Sequence, residues 1–537
     1  MKKYSLLSIF VLLFTYPLLG QSPLPEAVKG SWVGTLPLKP YPDLFRMDLD
    51  SLIQLKLYYK QIQFDAPKKF YLTEDSIYLT LDHHGFKGKL YGQIWGDHIQ
   101  GKIQTESQGE IPLNMIKIEP QGLESLANLL GYFEFEPGHI VQIAPFMVDF
   151  DLTPISILDY KTGKQRIAFP RNEKSYVAGK KMLGIYPPEI EVTVVEEPRS
   201  EFFTISLADA NQPPVNGRRL ADLLNQEDIL VHNQTIELHG TITYPNTTGP
   251  YPLVIFVPGA GMQYRGNMLD DYIRILPYMG IATLVYDKRG CGFSSGSLTG
   301  SSIQDLANDL TAFIEHAAQN KNIDPQHIGL VGLDQAGYVM PVSASQTDKI
   351  AFMVSLSGPT VSMMEQELTA CAQRMAADGY TTQDIRAAQA YTQTLFRYLE
   401  GEVDSTEMVK ASKKLHSEPW KQFVTSFDNK EYVEWWRKNY AFSPETYLNE
   451  IDIPILAIYG EQDILLSAEE NSQKMRTHID RSDISTSRIV LLPEANHLLM
   501  LGETRGDFQF SEITGYSPEL FQTIFLWLRK QTGLTSN

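Results

Sequence analysis

The sequence predicts an α/β fold, in which helices cover both faces of a mostly parallel sheet, preceded by β-rich modules. Three observations support this prediction. Before about residue 220, apolar and polar residues alternate in short stretches that are separated by Gly and Asp. After about residue 225, apolar runs alternate with segments of helical length. The apolar run at 328–331 ends in a tight turn of small residues, which is typical of a buried strand followed by a helix.

Composition and charge restrict the classes of function. The 537 residues are 43% hydrophobic and 20% charged, which is ordinary for a globular chain with more than one core. A formal net charge of -18 argues against nucleic acid or an anionic membrane as the partner. The two cysteines, Cys291 and Cys371, are too few for a disulfide framework.

The first 20 residues have the pattern of a cleaved secretory signal. Two lysines follow Met1, residues 6–19 are almost wholly apolar, and a small residue, Gly20, stands at the expected cleavage point. The apolar run is shorter than the ~20 residues that a spanning helix needs. We therefore expect an exported protein, periplasmic or extracellular, with no membrane span after signal removal.

Two β-rich modules follow. Residues 23–120 are predicted to form an antiparallel β-module, a small barrel or sandwich, and residues 121–220 a second β-rich module and linker. Aromatic residues such as Tyr91 and Trp95 could line a ligand groove, but such residues pack in a core more often. No chemistry is assigned to them.

Residues 225–537 are predicted to form the α/β domain. A long helical region at 360–450 interrupts the alternation of strands and helices, and an insertion at this place is a lid candidate. The predicted strands of the sheet are 238–242, 253–257, 282–286, 328–331, 352–356, 455–459 and 489–492.

The turn after the strand at 328–331 is where a nucleophile elbow belongs. The usual pattern of that turn is G-x-S-x-G, with a serine held at the top of the sheet. Here the central residue is Asp334, between Gly332 and Ala336. The frame of strand, turn and helix is kept, whereas the serine is not.

Three further stretches stand at the ends of predicted strands. The glycine-rich turn after 253–257 lets backbone N–H groups face a developing oxyanion, with Ala260 and Gln335 as the predicted donors. Asp463 follows the strand at 455–459, and His497 follows the strand at 489–492. Each feature alone is weak, but together, at the carboxyl ends of strands, they predict a catalytic triad of Asp334, Asp463 and His497.

The same stretches carry a resemblance to a known family. They are Val257-Pro258-Gly259-Ala260-Gly261 with Gln263 and Arg265, Tyr286-Asp287-Lys288-Arg289-Gly290-Cys291-Gly292-Phe293-Ser294-Ser295-Gly296, the elbow at Gly332, Leu356-Ser357-Gly358-Pro359, Gly460-Glu461-Gln462-Asp463 and Asn496-His497. From about residue 227 onward the chain resembles exported bacterial esterases of the α/β-hydrolase superfamily, grouped with serine-aminopeptidase-like hydrolases.

The resemblance implies an α/β-hydrolase fold with a helical lid, carboxylic ester hydrolysis, a small-molecule ester-like substrate or ligand, and no metal or organic cofactor. In the family the elbow serine is acylated, the histidine is its base and the acid orients the histidine. His497 and Asp463 match these positions, whereas Asp334 does not. Pro258 also stands where the family usually has His. The oligomeric state is left open.

Asp334 changes the chemistry that the site can perform. After a carboxylate adds to an ester carbonyl, the intermediate can expel either carboxylate (pKa of the acid ~4) or alkoxide (~16), so it reverts to the starting ester. At a saturated carbon no such reversal arises, and His497 could activate water to hydrolyse an alkyl ester of Asp334.

That chemistry is known from haloalkane dehalogenases and epoxide hydrolases, which share this fold. The dehalogenase pattern has Trp after the nucleophile, where this chain has Gln335. Epoxide hydrolases use lid tyrosines as donors. The tyrosines available in the predicted lid are Tyr380, Tyr391, Tyr398, Tyr432 and Tyr440.

A third alternative is a catalytically inactive hydrolase fold that binds a ligand. Two carboxylates beside His497 would favour the imidazolium, which is a poor general base. None of the other candidate nucleophiles stands in such a turn between a strand and a helix. These candidates are Ser294, Ser295, Ser343, Ser345, Ser357 and Cys291. The ester alternative needs a serine near His497, the alkyl alternative needs contact between Asp334 and His497 and a donor for the leaving group, and the inactive alternative predicts neither.

Overall fold

The computed structural model describes residues 24–534, apart from 39–42, 51–52, 58–61, 65–66, 68, 84–85, 122–125, 127–128, 147–152, 186, 196–203, 210–212, 222–224, 267, 483 and 503–511. The predicted signal at 1–20 lies outside the described residues. Contacts divide the chain into two compact units. The first comprises residues up to 137 with 142–157 and 166–219, and the second comprises 138–141, 158–165 and 220–537.

The first unit contains a nine-stranded sheet, counted over the described residues, with the strand order 4-3-2-1-9-8-7-6-5. The recorded pairings are antiparallel, as the alternating pattern predicts. One face of the sheet packs an aliphatic and aromatic core that includes Trp32, Leu79 and Leu90. The strands are β1 (Gly30–Leu36), β2 (Asp43–Leu49), β3 (Ile53–Leu57), β4 (Ile62–Gln63), β5 (Phe70–Leu72), β6 (Ser76–His83), β7 (Phe86–Trp95), β8 (His98–Thr105) and β9 (Gly109–Ile118).

The next eight strands of the described chain form a closed barrel in sequence order, and most of their residues belong to the first unit. Closure pairs the first strand with the last, with Phe133 opposite Arg219. The limits of the predicted modules, 23–120 and 121–220, stay a prediction. The strands of the barrel are β10 (Gly131–Glu136), β11 (His139–Pro145), β12 (Ile155–Asp159), β13 (Gln165–Asn172), β14 (Ser175–Ala178), β15 (Ile190–Val195), β16 (Thr204–Asp209) and β17 (Val215–Arg219).

The second unit is built on an eight-stranded sheet with the strand order 18-19-21-20-22-23-24-25, again over the described residues. The first three strands in this order pair antiparallel, and the pairings from the third strand onward are parallel. The strands are β18 (Asn225–Asn233), β19 (Ile236–Tyr244), β20 (Tyr251–Val257), β21 (Ala282–Tyr286), β22 (Ile323–Leu333), β23 (Ile350–Leu356), β24 (Ile455–Gly460) and β25 (Arg488–Leu492).

The helices of the second unit are α1 (Ile303–Ala318), α2 (Ala336–Gln346), α3 (Met363–Ala377), α4 (Thr382–Glu400), α5 (Ser405–Leu415), α6 (Lys430–Asn439), α7 (Glu445–Leu448), α8 (Ala468–Ser482) and α9 (Pro518–Thr532). A short antiparallel pair, β26 (Met500–Leu501) and β27 (Gly515–Tyr516), lies between the last strand of the sheet and α9. None of the described helices combines the length and apolarity needed to cross a membrane.

Five helices, α3 to α7, lie between β23 and β24, in the region predicted as an insertion. Side-chain caps fix where three of them begin, because Ser362, Thr381 and Asp404 each accept a hydrogen bond from a first-turn N–H. We call residues 363–448 the helical insertion. That it acts as a lid stays a prediction.

Candidate active site

The backbone at Asp334 has the conformation of a nucleophile elbow. Asp334 follows β22 directly and has φ +55°, a left-handed value that a residue with a side chain adopts at some cost. The turn also needs small neighbours. A Cβ on Gly332 would lie 2.4 Å from the Ala336 Cβ, and one on Gly337 would lie 2.6 Å from the Gly358 Cα. The predicted frame of strand, turn and helix is therefore present, with an aspartate at its centre.

The carboxylate of Asp334 occupies the predicted oxyanion hole. The Ala260 N–H donates to Asp334 Oδ2 at 2.9 Å. The Gln335 N–H also hydrogen-bonds the Asp334 carboxylate. The two donors that the sequence predicted for a substrate oxyanion thus face the elbow side chain itself.

Asp463 and His497 meet as a buried pair. Asp463 Oδ2 lies 2.7 Å from His497 Nδ1. The Leu465 and Leu466 N–H groups donate to the other oxygen, Oδ1, at 2.8 and 2.9 Å. The Asp463 side chain is fully buried and that of His497 is 6% exposed. This carboxylate is fixed on both oxygens, which orients the imidazole ring.

The other ring nitrogen faces the elbow. His497 Nε2 lies 3.6 Å from Asp334 Oδ1, and the Asp334 side chain is 32% exposed. Burial acts to lower the pKa of His497, but the charges and hydrogen bonds of Asp463 and Asp334 raise it to about 10. Burial acts to raise the pKa of Asp334, yet His497 and the two N–H donors hold it below its usual value. The resting site is therefore a carboxylate, an imidazolium and a second carboxylate.

A buried lysine contacts both segments that form the oxyanion hole. Lys288 is 3% exposed, and its Nζ donates to the Gly259 carbonyl and to Gln335 Oε1, both at 2.7 Å. Burial lowers its pKa to about 8, against the opposing effect of Asp334. Lys288 joins the two segments that supply the hole donors. From the sequence, Lys288 carries part of the family resemblance but no predicted role, although a lysine two residues after a buried strand was the available signal.

The neighbours of Lys288 explain why their stretch is so specific. Asp287 accepts hydrogen bonds from the Arg265 and Phe293 N–H groups, at 2.8 and 2.9 Å. Arg289 pairs with buried Asp309, with Nη2 2.6 Å from Oδ1. Asp287, Arg289 and Asp309 are thus already paired within the protein, and these contacts hold together the loops around the site.

Four of the five tyrosines available as donors make other contacts in the described structure. Tyr380 donates to the Pro419 carbonyl, and Tyr391 accepts from the Phe427 N–H. Tyr398 packs edge-on against the Phe427 ring. Tyr440 stacks on Phe396, and Tyr432 is half-exposed. Among the recorded contacts none joins these hydroxyl groups to Asp334 or His497.

The alternative serines are not brought to His497 by any contact recorded in the described chain. Ser294 donates to the Asp287 carbonyl and Ser343 to the Ala307 carbonyl. The Ser295 hydroxyl accepts from the Glu237 N–H, and Ser345 donates to the Val342 carbonyl. Ser357 is fully buried, with no hydrogen-bond partner for its hydroxyl in the described structure.

The described residues contain no cluster of three His, Cys, Asp or Glu side chains that could hold a metal ion. Cys291 and Cys371 are buried free thiols.

Comparison with known proteins supports the fold. Residues 252–504, just under half of the chain, match the family described as alpha/beta hydrolase fold. This match and the strand order of the second unit give it the α/β-hydrolase fold that the sequence predicts.

A curated relative and solved structures are more distant. A Synechocystis protein named putative carboxymethylenebutenolidase is 25% identical over 129 residues, which are 22% of this chain and 52% of that protein. The chain thus spans about half the length of this relative.

Similar solved structures include the Pyrococcus furiosus esterase Pf2001, with 17% identity, TM-score 0.38 and coverage of 57% of this chain and 92% of that one. Another is Est1E from Butyrivibrio proteoclasticus with ferulic acid, with 14% identity, TM-score 0.37 and coverage of 57% and 99%.

Proposed function

We propose that this α/β-hydrolase domain hydrolyses small molecules at a saturated carbon, through an alkyl ester of Asp334. The observation that supports this proposal most directly is the placement of the two carboxylate oxygens of Asp334. Oδ2 accepts the Ala260 N–H, whereas Oδ1 lies on the side of His497, with part of the side chain exposed. One oxygen is held and the other is available to attack.

In the first step Asp334 Oδ1 attacks the carbon of an epoxide or alkyl halide. The carbon–oxygen or carbon–halogen bond breaks, its electron pair leaves with the oxygen or halogen, and an ester forms at Oδ1. The lowered pKa of Asp334 keeps the nucleophile ionised at neutral pH without a base. Oδ2 becomes the carbonyl oxygen of the ester while still facing the N–H of Ala260.

In the second step water attacks Cγ of Asp334, and His497 takes the proton of that water. Negative charge then develops on Oδ2, which already lies 2.9 Å from the Ala260 nitrogen. Donors aimed at the oxygen on which charge develops lower the barrier without reorganisation. The intermediate breaks its Cγ–Oδ1 bond, His497 returns the proton to the departing alcohol, and Asp334 is regenerated.

This sequence explains how a resting imidazolium can serve as a base. Alkylation neutralises Asp334 and removes two of the interactions that raise the pKa of His497. The leaving oxygen or halide departs on the side opposite Asp334 Oδ1 and His497. The imidazolium therefore gives its proton to solvent water, which also protonates the epoxide oxygen, and His497 is then neutral when water must be activated. The final proton transfer from the Asp334 acid to His497 restores the resting pair.

Carboxylic ester hydrolysis is the second candidate, favoured by the motifs that resemble exported esterases. An ester carbonyl would need the hole donors that Asp334 Oδ2 occupies, and an acyl-Asp334 intermediate would revert to the ester. The third candidate is a ligand-binding protein without turnover. Its supporting observation is the raised pKa of His497, about 10, which disfavours a general base in the resting site.

The proposal extends to two features that surround the site. We propose that the helical insertion covers the substrate, because Phe442 packs edge-on against Tyr338, four residues after Asp334, with ring centroids 5.5 Å apart. We also propose that the protein acts outside the cytoplasm, on the signal pattern of residues 1–20.

The test compares wild type, Asp334→Asn and Asp334→Ser on styrene oxide, 1-bromoalkanes and short p-nitrophenyl esters. We expect wild type to open the epoxide or release bromide and Asp334→Asn to lose that activity at least about a hundredfold, because an amide is a poor nucleophile. The matched control is Asp348→Asn, since the Asp348 side chain is 99% exposed and should be replaceable without effect.

The other outcomes separate the candidates. Wild-type ester turnover that survives Asp334→Asn would contradict the proposal, because it would require a different nucleophile. If wild type is inert on the whole panel and only Asp334→Ser hydrolyses esters, the hole, His497 and Asp463 are competent and the natural protein binds rather than cleaves.

A further inference from the structure

The outward face of the nine-stranded sheet carries a row of tyrosines across three strands. Tyr71 in β5 pairs with Tyr78 in β6, which pairs with Tyr91 in β7. Their ring centroids are 5.8 and 5.0 Å apart, and the rings are tilted by 35° and 51°. Tyr71 is 71% exposed and Tyr91 40%. The expectation that such aromatics pack in the core is therefore wrong for Tyr91, because its side of β7 faces solvent.

A second aromatic group lies on the same face. Trp95 is 53% exposed and pairs with His98 on β8, with ring centroids 5.6 Å apart in an edge-on arrangement. Trp95 stands four residues after Tyr91 on one strand, so the two positions are about 13 Å apart. The core expectation is wrong for Trp95 as well.

Amide side chains lie between the two aromatic groups. Gln93 on β7 pairs with Gln100 on β8, and both are exposed. No hydrogen bond is recorded for either side chain within the described structure. Each amide offers two donors and one acceptor oxygen to a ligand. The face thus presents a row of tyrosines, then a row of amides, and then a second aromatic row.

The charges on this face largely cancel. Lys87 lies 3.8 Å from Asp82, and Lys102 Nζ lies 2.7 Å from Glu110. Of the lysines on the outward side of β7 and β8, Lys89 has no recorded acidic partner in the described chain. A face with this balance, on a chain of net charge -18, is poorly suited to a polyanion.

We propose that this face, named the tyrosine face and defined by Tyr71, Tyr78, Tyr91, Gln93, Gln100 and Trp95, binds a neutral polysaccharide. The C–H groups on the apolar side of a sugar ring pack against the negative face of an aromatic ring. The sugar hydroxyl groups exchange hydrogen bonds with amides. Aromatic rows about 13 Å apart with amides between them suit an extended chain that presents both chemistries repeatedly.

The experiment uses the full purified protein in affinity electrophoresis and in isothermal titration with soluble neutral polysaccharides: a mixed-linkage β-glucan, a xylan and a galactomannan. We expect binding to at least one of them and a loss of affinity of about tenfold or more in Tyr71→Ala/Tyr91→Ala. The matched control is Tyr432→Ala, which removes a 51% exposed tyrosine from the helical insertion.

Two further variants test how the face is used. Gln93→Leu/Gln100→Leu should weaken binding while leaving the rings in place, and Tyr78→Phe should retain it. Unchanged circular dichroism and melting temperature show that each variant is folded.

Three results would overturn the proposal. The first is that none of the three polysaccharides binds. The second is equal binding by wild type and Tyr71→Ala/Tyr91→Ala. The third is evidence that the face binds another partner. Such evidence would be stronger binding of heparin or oligo(dT) than of the neutral polysaccharides, or a wild-type dimer in size-exclusion chromatography that Tyr71→Ala/Tyr91→Ala dissociates.

Discussion

The two carboxylates beside His497 both accept from backbone N–H groups but differ in their exposure to solvent. Asp463 has Oδ1 bound by two backbone N–H groups and Oδ2 directed at the imidazole. Asp334 has Oδ2 bound by the Ala260 N–H and Oδ1 directed at the imidazole. Asp463 is fully buried at 2.7 Å from the ring, whereas Asp334 is 32% exposed at 3.6 Å. The shorter, buried contact fixes the ring, and the longer contact belongs to a carboxylate that is partly open to solvent.

The largest expected effect is on stability at Asp463. Asp463→Ala should lower the free energy of unfolding by about 3–5 kcal/mol, because it leaves a buried imidazole and the N–H groups of Leu465 and Leu466 without their acceptor. Urea denaturation at pH 7 measures the loss. Asp463→Asn, which keeps an acceptor oxygen, should lose less. A loss below 1 kcal/mol in Asp463→Ala would show that the pair does not fix the site.

The second effect is a pH dependence set by His497. Its folded pKa of about 10 lies above the unfolded value of 6.5, so its stabilising contribution is complete below pH 6.5 and is lost as pH rises through 10. The difference in unfolding free energy between wild type and His497→Gln should therefore shrink by a few kcal/mol between pH 6.5 and 10. A difference that grows over this range would contradict the ion-paired resting site.

The third effect concerns the lysine beneath the hole. Lys288→Met should cost about 1–3 kcal/mol, since it leaves the Gly259 carbonyl and the Gln335 amide oxygen without their donor. Thermal unfolding measures this cost. In the Asp334→Ser background it should also lower kcat for esters more than it raises KM, because the hole donors lose their alignment. If kcat is the same with Lys288 and with Met at this position in the Asp334→Ser background, Lys288 does not position the hole donors.

The smallest effect is expected for stability at Asp334. Asp334→Ala should change the free energy of unfolding by about 1 kcal/mol or less, because water can replace a partly exposed carboxylate whose ion pair spans 3.6 Å. Measured beside Asp463→Ala in the same urea titration, it tests the comparison directly. Equal losses at the two positions would mean that both carboxylates are structural.

The sequence was sufficient to predict the frame of the site. Periodic apolar runs located the strands, although β22 begins at Ile323 rather than 328. The order of elbow, acid and histidine placed Asp463 next to His497, as observed. These features follow from local patterns and from the rule that functional loops gather at the carboxyl ends of parallel strands.

What the sequence could not supply depends on side-chain geometry. That Asp334 Oδ2 fills the hole follows from a rotamer and a φ of +55°. That Lys288 joins two loops depends on contacts between residues far apart in the chain. The solvent exposure of Tyr91 and Trp95 could not be read from composition, because an alternating strand pattern shows that one face is buried without saying whether the other is covered.

The most direct measurement is the intact mass of His497→Gln after incubation with styrene oxide, followed by peptide mapping. Without its base the second step should stop, so the protein should gain the mass of one substrate molecule, located on Asp334. Asp334→Asn/His497→Gln should gain none. If His497→Gln shows no adduct with styrene oxide or a 1-bromoalkane, or carries it on another residue, Asp334 is not the nucleophile and the proposed alkyl-enzyme pathway is wrong.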